Sequence, residues 1–207
     1  MIEGSRVRLR GLELADLDVI MLHWNNLELR NLVISADRGP IPRCEEEEWL
    51  RAKWKQRQER KAYAFAIETV ADQRMIGTTE LSSIDWTSRS AVFGISIFDK
   101  ENQGKGYGME AANLILDYAF RTLNLHRIEL ETLDINERAQ RCYRSVGFKE
   151  VGRKRKARYV DGEYRDGVLM DLLRDEWQPA RDQRRLSEQG HSLRCDANTR
   201  RRSLFSA

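Results

Sequence analysis

The sequence predicts an α/β protein: one mixed, mostly antiparallel sheet of six to seven strands, flanked by about four helices. Three observations carry this reading. Segments from Tyr63 to Phe98 alternate apolar and polar residues at period two between short turns, as an antiparallel meander does. A glycine-rich hexapeptide, Gln103 to Gly108, then joins strand pattern directly to helix pattern. A further strand–helix pair and two final strands follow.

The elements run in this order. Arg6 to Arg10 alternates charged and apolar residues and reads as a strand. Leu14, Leu17, Ile20, Met21 and Trp24 recur at helical spacing, with Asp16 and Asp18 at the start. A loop or short helix reaches Pro42, and a long helix runs to about Arg60. The acids Glu45 to Glu48 at its start suit the helix dipole. Strands are expected at Tyr63–Thr69, Met75–Ile84 and Ser90–Phe98, a helix at Met109–Phe120 and a strand at Arg127–Leu133. That last strand presents Ile128, Leu130 and Thr132 on one face, and Glu129, Glu131 and Leu133 on the other. A short helix from Asn136 to Ser145 ends at Gly147. Strands around Phe148–Tyr159 and Gly167–Leu173 close the domain, with Asp161-Gly162 as their hairpin turn.

Gln103-Gly-Lys-Gly-Tyr-Gly108 is the most informative stretch. Three glycines in five residues let a ligand approach the backbone closely. The unpaired N–H groups of the following helix, with its dipole, make a seat for phosphate. A P-loop is excluded, because Gly-x-x-x-x-Gly-Lys-Ser/Thr does not occur. Gly106 to Ala111 does fit Gly-x-Gly-x-x-Ala, with Glu131 about 20 residues on, but a dinucleotide fingerprint normally follows the first strand of a βαβ unit. The third reading is Gln/Arg-x-x-Gly-x-Gly/Ala, with Gln103, Gly106 and Gly108 at the marked places.

A second segment, Asn136-Glu-Arg-Ala139-Gln-Arg-Cys-Tyr143-Arg-Ser-Val-Gly147-Phe148, follows at a matching separation. Together the two stretches resemble the cofactor and active-site motifs of the GNAT family of N-acetyltransferases. The resemblance runs from about Val7 to Trp177 and is strongest to the branch of ribosomal-protein alanine acetyltransferases and bacterial spermidine acetyltransferases. Phe120 to Leu125 and Asp161 to Arg165 look most like the spermidine enzymes. It implies acetyl-CoA as co-substrate and a sheet splayed between the fourth and fifth of the predicted strands, with the pantetheine arm in the gap. Gln103, Gly104, Lys105, Gly106, Tyr107 and Gly108 would hold the pyrophosphate. Backbone groups of Ile95, Ile97 and Phe98 would face the cofactor, one polarising the thioester carbonyl. Asn136 would contact the pantetheine.

Tyr143, in the Asn-x-x-Ala-x-x-x-Tyr frame, is the candidate general acid, since a phenol is protonated at neutral pH. Many relatives carry Glu on the strand before the phosphate turn, where this chain has Val92. Glu80 on the neighbouring strand is the substitute base, and Asp85 a weaker one. His23 and His126 read as structural. Glu28, Glu80 and Asp85 would be the carboxylates of a polyamine pocket. The acceptor is a small-molecule amine or a peptide N-terminus; a non-catalytic acyl-CoA-binding module is the alternative class.

An apolar share of 41% supports a sizeable core, and no run approaches the roughly 20 residues of a membrane helix. Cys44, Cys142 and Cys195 show neither metal spacing nor a disulfide framework, and no signal-peptide pattern opens the chain. A cytoplasmic enzyme without metal is expected, with a homodimer as the oligomer. The formal charge of +3 belongs to the end of the chain: Arg181 to Ala207 holds seven arginines and three acids, and the rest carries −1. A domain over residues 1–179 with a basic, disordered tail over 180–207 is therefore expected; a nucleic-acid role for that tail is the lesser reading.

Overall fold

The computed structural model describes residues 1–26 and 40–177. The expected tail, the domain boundary before it and Glu28 lie outside the described residues. Eight strands form one sheet: β1 (Ile2–Glu3), β2 (Val7–Gly11), β3 (Tyr63–Thr69), β4 (Met75–Asp85), β5 (Ser90–Ile97), β6 (Arg127–Leu133), β7 (Lys149–Val160) and β8 (Glu163–Leu173). Their order across the sheet is β1-β2-β3-β4-β5-β6-β8-β7. The main helices are α1 (Leu17–Trp24), α2 (Arg43–Gln58), α3 (Tyr107–Asp117) and α4 (Glu137–Ser145). The eighth strand, beyond the six to seven expected, is β1; two residues are too short to show a period.

Alternation along the central strands divides the core between two faces. Phe65 and Ile67 of β3 join Val7, Leu9, Ile115 and Leu116 in the cluster under α3. Ala64 and Ala66, between them, face Leu17, Ile20, Leu50 and Trp54 of α1 and α2. Trp54 closes that side by donating its indole N–H to the Leu12 carbonyl at 3.0 Å. Helix α3 does not stop at Phe120: a π-helical turn carries it from Tyr118 to Thr122. That turn sets the Tyr118 ring edge-on against Tyr63 and Phe65.

All strand pairings but one are antiparallel. The exception sits at the centre, where β5 and β6 run parallel and pair only at Ser90–Arg127, Ala91–Ile128 and Val92–Glu129. Beyond Val92 the strands diverge, so the sheet opens between the strand before the glycine turn and the one after it, as expected. The extra strand β1 makes these the fifth and sixth. The β7–β8 hairpin also forms as read: Asp161 and Gly162 take φ +50° and +83°, the left-handed pair of a two-residue turn.

Two local features hold the open half in place. A Cβ on Gly77 would sit 2.1 Å from the Ser96 carbonyl oxygen, so only glycine allows β4 and β5 to approach at this point. Across the sheet, Arg10 binds Asp16 through two bonds of 2.8 Å and Glu68 through one of 2.5 Å, while Arg8 also binds Glu68. Burial alone would raise the Glu68 carboxyl, but the hydrogen bonds from Arg10 and Arg8 outweigh it and hold the group below its ordinary value.

Gly77→Ala is expected to cost about 1–3 kcal/mol, as overpacking at a fixed backbone does, read as a fall in Tm. Glu68→Gln leaves two partly buried guanidiniums short of a counter-charge and should cost on the order of 3 kcal/mol in urea unfolding. Because the folded Glu68 is depressed, its contribution is complete above the unfolded carboxylate pKa of about 4.3 and is lost as pH falls through the folded value. Below that value, wild type and Glu68→Gln should converge; a constant gap between them would refute the assignment.

Candidate active site

The opening between β5 and β6 forms a groove of about 760 Å³. One wall is β5, with Val92, Ile95 and Ile97; another is β6, with Glu131 and Thr132. The turn supplies Gln103, Gly104, Gly106 and Gly108, and α4 with its cap supplies Asn136, Arg138 and Tyr143. Thus both motif segments, separated in sequence by most of α3 and the whole of β6, line the same groove.

The turn is built for anions. Gly104 and Gly106 take φ +74° and +83°, and Gly106 is the N-cap of α3. Among the described residues, none accepts a hydrogen bond from the N–H groups of Gly104, Lys105, Gly106, Tyr107 or Gly108. Left-handed glycines in such a run turn successive N–H groups into one concavity, the geometry that binds phosphate oxygens. Gln103 fixes the start of the turn: its Nε2 donates to the Ile97 carbonyl at 2.9 Å, and its Oε1 accepts from Arg138. The residues therefore fit a CoA diphosphate.

Other expected residues fall elsewhere. The Phe98 ring is buried against His23, with centroids 4.4 Å apart, and its N–H donates to the Ile76 carbonyl at 2.9 Å. Phe98 therefore presents neither group to the groove. Tyr107 turns its ring toward Arg6, 5.7 Å away, and Lys105 contributes its carbonyl to Arg6 while its side chain is exposed. Asp85 caps a turn, accepting from the Thr87 N–H at 2.8 Å and the Ser88 hydroxyl at 2.7 Å. It lines neither cavity. Burial lowers the His23 pKa against the opposing pull of Asp99, 3.6 Å away. His126 is exposed, precedes the paired end of β6 and lines neither cavity.

Asn136 caps α4 by accepting from the Ala139 N–H at 3.2 Å, which aims the helix at the groove. Tyr143 lies two turns on from Asn136. Its ring meets Phe93 and Phe148, at 6.1 and 6.0 Å between centroids, where the strands part. Burial, with a smaller contribution from Cys142, raises the phenol well above its ordinary value, so it is protonated throughout the neutral range. Burial raises the neighbouring Cys142 thiol too.

A second cavity, about 420 Å³, lies on the α2 side of the sheet. Trp24, Trp49 and Ile41 supply apolar wall; Glu45, Glu46 and Glu80 supply carboxylates. It shares Glu80, Gly94, Ile95 and Ser96 with the groove, so the two cavities meet at the β4–β5 ladder. Glu80 stands opposite Gly94, whose missing side chain leaves its carboxylate free to lie across the strand. Ser82, two residues on, faces Val92. Glu80 and Val92 are therefore diagonal neighbours on one face, and Glu80 occupies ground that a carboxylate at Val92 would reach. Lys53 binds Glu80 at 2.5 Å and stands over the Trp49 ring.

Sequence reasoning missed the two tryptophans, Arg138 and Glu46. Glu46 had a sufficient explanation in the helix dipole, yet it is only 5% exposed and its carboxylate makes no hydrogen bond or ion pair with any described residue. Burial, and then Glu45, raise its pKa.

The sequence matches the acetyltransferase (GNAT) domain over residues 6–149. It is 35% identical to the spermidine N(1)-acetyltransferase of Vibrio cholerae over 175 residues, covering 84% of this chain and 96% of that protein. It is 31% identical to the ribosomal protein uS5-alanine N-acetyltransferase of Escherichia coli K12, over 58% of this chain and 62% of that one. The fold superposes on the crystal structure of the Vibrio cholerae spermidine N-acetyltransferase in complex with CoA and spermine with a TM-score of 0.76. That likeness is at 32% identity and covers 84% of this chain and 99% of the other. With the domain match spanning the groove, the turn and Tyr143, the chain belongs to the GNAT family of acetyltransferases.

Proposed function

We propose that this enzyme transfers the acetyl group of acetyl-CoA to a primary amine of a polyamine. As a GNAT member it is an N-acetyltransferase with acetyl-CoA as co-substrate. The observation that carries the acceptor reading is the second cavity: aromatic walls, three carboxylates and a junction with the groove at Glu80. Apolar walls suit methylene spacers and the carboxylates suit ammonium groups. The likeness to the Vibrio cholerae spermidine enzyme supports the same acceptor.

When bound, acetyl-CoA supplies an acetyl thioester. The protein's share is to seat the diphosphate on the turn, expose β5 backbone to the acyl arm and manage two protons. Glu80 at the junction takes a proton from the acceptor ammonium, leaving a neutral nucleophilic amine. Tyr143 donates a hydrogen bond, and then its proton, to the sulfur that departs as the N–C bond forms, and it is reprotonated by the second proton that the acceptor nitrogen loses. The burial that raises the phenol also raises the neighbouring Cys142 thiol, and a departing sulfur in the same surroundings is made more basic in the same direction. A cytoplasmic location and a homodimer belong to the same proposal; the exposed edge of β7 supports the latter.

Thiol release from acetyl-CoA should be measured with spermidine, Ala- and Ser-initiated peptides and aminoglycosides. Turnover is expected with spermidine, and Tyr143→Phe should lower kcat by ~10²–10⁴-fold, the usual worth of a general acid. Preference for a peptide would move the assignment to protein N-termini, and CoA binding without any turnover would favour a sensor.

Glu46→Gln should raise KM for spermidine about tenfold, the loss of one charged hydrogen bond, and leave a monoamine acceptor unaffected. Since burial raises the Glu46 carboxyl, it protonates early as pH falls, and the wild-type KM for spermidine should climb on the acid side. That climb should be absent in Glu46→Gln; an identical pH profile in both would remove Glu46 from the acceptor site.

A further inference from the structure

We propose that Arg6 is a positioning residue for the diphosphate of acetyl-CoA, acting by orienting the peptide groups of the glycine turn. This rests on acetyl-CoA being the acyl donor. Arg6 lies about 100 positions before the turn, on the approach to β2, and its Nη1 donates to the Lys105 carbonyl at 2.8 Å. Its Nη2 reaches the Gly106 carbonyl at 3.4 Å. In a trans peptide the C=O and the following N–H point in opposite directions. Holding those two carbonyls therefore turns the N–H groups of Gly106 and Tyr107 away from Arg6. These are two of the donors that no described residue takes up.

The guanidinium is itself held. Its Nε donates to Glu110 Oε2 at 2.8 Å, and the Arg6 N–H donates to Glu110 Oε1 at 2.8 Å. Ser5 Oγ donates to the same oxygen at 3.0 Å. Burial would raise the Glu110 carboxyl, but these bonds outweigh it and keep the group below its ordinary value, so the anchor is charged. Glu110 stands in the first turn of α3, next to the backbone that Arg6 orients. The space is committed as well, since a Cβ on Gly106 would lie 3.0 Å from Arg6 Nη2. The arrangement has one fork with two jobs. One side grips a carboxylate; the other fixes two carbonyls whose reverse faces are donors. Arg suits this better than Lys, because its planar fork serves several acceptors in fixed directions.

The test compares CoA with pantetheine, which lacks the nucleotide and its phosphates. Binding of each to wild type, Arg6→Met, Arg6→Lys and Glu110→Gln is measured by titration calorimetry, with amide exchange over residues 104–109 as an independent readout. Arg6→Met should weaken CoA about tenfold, the worth of a charged hydrogen bond, change pantetheine by less than twofold and speed exchange in the turn. Arg6→Lys should recover part of the loss. Equal CoA affinity in wild type and Arg6→Met would overturn the proposal, as would equal weakening of CoA and pantetheine, which marks a general scaffold role. If Arg6→Met does not fold, Glu110→Gln decides: weaker CoA binding with unchanged pantetheine supports the assignment, and unchanged CoA binding overturns it. A wild type that binds no CoA would overturn the acyl-donor reading together with this one.

Discussion

The molecule is organised around a sheet that refuses to close. Parallel pairing of β5 and β6 ends after Val92 and Glu129, and everything functional follows from that short seam. Past it, the β5 backbone from Phe93 to Ile97 lacks a β6 neighbour, and the glycine turn and α4 meet across the gap. What keeps the strands apart is packing. Phe93, the first residue beyond the seam, stacks on Phe148 at 5.8 Å and meets the Tyr143 ring edge-on. This aromatic wedge at the fork stabilises the opening and also fixes the phenol there, so the side chain assigned as acid is part of the structure that creates its site. A sheet closed along its length would gain backbone hydrogen bonds and lose the groove.

The opening also meets a second cavity from the other side of the sheet. The groove lies where the strands part, and the acidic cavity lies under α2. They share Glu80, Gly94, Ile95 and Ser96, so one ladder of β4 and β5 separates the seats. Gly94 thins that partition where Glu80 crosses it, and Gly77 allows the close approach that holds the two strands in register. Neither glycine belongs to the phosphate motif. Each is needed because a side chain would occupy space used by backbone or by a carboxylate.

Legibility in the sequence followed the distance over which each feature is determined. The meander, the glycine turn, the short helix that follows Asn136 and the hairpin at Asp161-Gly162 depend on residues within a few positions, and all were readable. The splay came from the resemblance and agrees with the short β5–β6 register. Arg6 was not readable as part of the site, because its partners lie about 100 residues away. Glu46 was misjudged for a related reason. Four acids opening a helix have an adequate local cause, and only the placement of α2 across the sheet shows that one of them is buried beside a cavity. Phe98 shows the converse. The resemblance carried it into the expected cofactor contacts, but its N–H is already bound to Ile76 and its ring serves the α1–α2 core.

The charges are sorted to match this geometry. At the turn, Arg6 lies behind the backbone donors, and Arg138 and Arg141 of α4 line the groove. In the other cavity the charge is negative, and the Glu46 carboxylate lacks a partner among the described residues. An anionic donor thus meets basic groups and free N–H donors at the turn end of the groove, and a cationic acceptor meets carboxylates in the other cavity. Lys53 refines the second seat. Its ion pair with Glu80 offsets one carboxylate until an acceptor ammonium competes for it, so the cost of holding three acids together is reduced in the free protein. Because Lys53 also stands over Trp49, release from Glu80 leaves it against an aromatic face, where a cation is still favoured. The same indole that walls the cavity thereby eases the exchange of one ammonium for another at the carboxylate assigned as base.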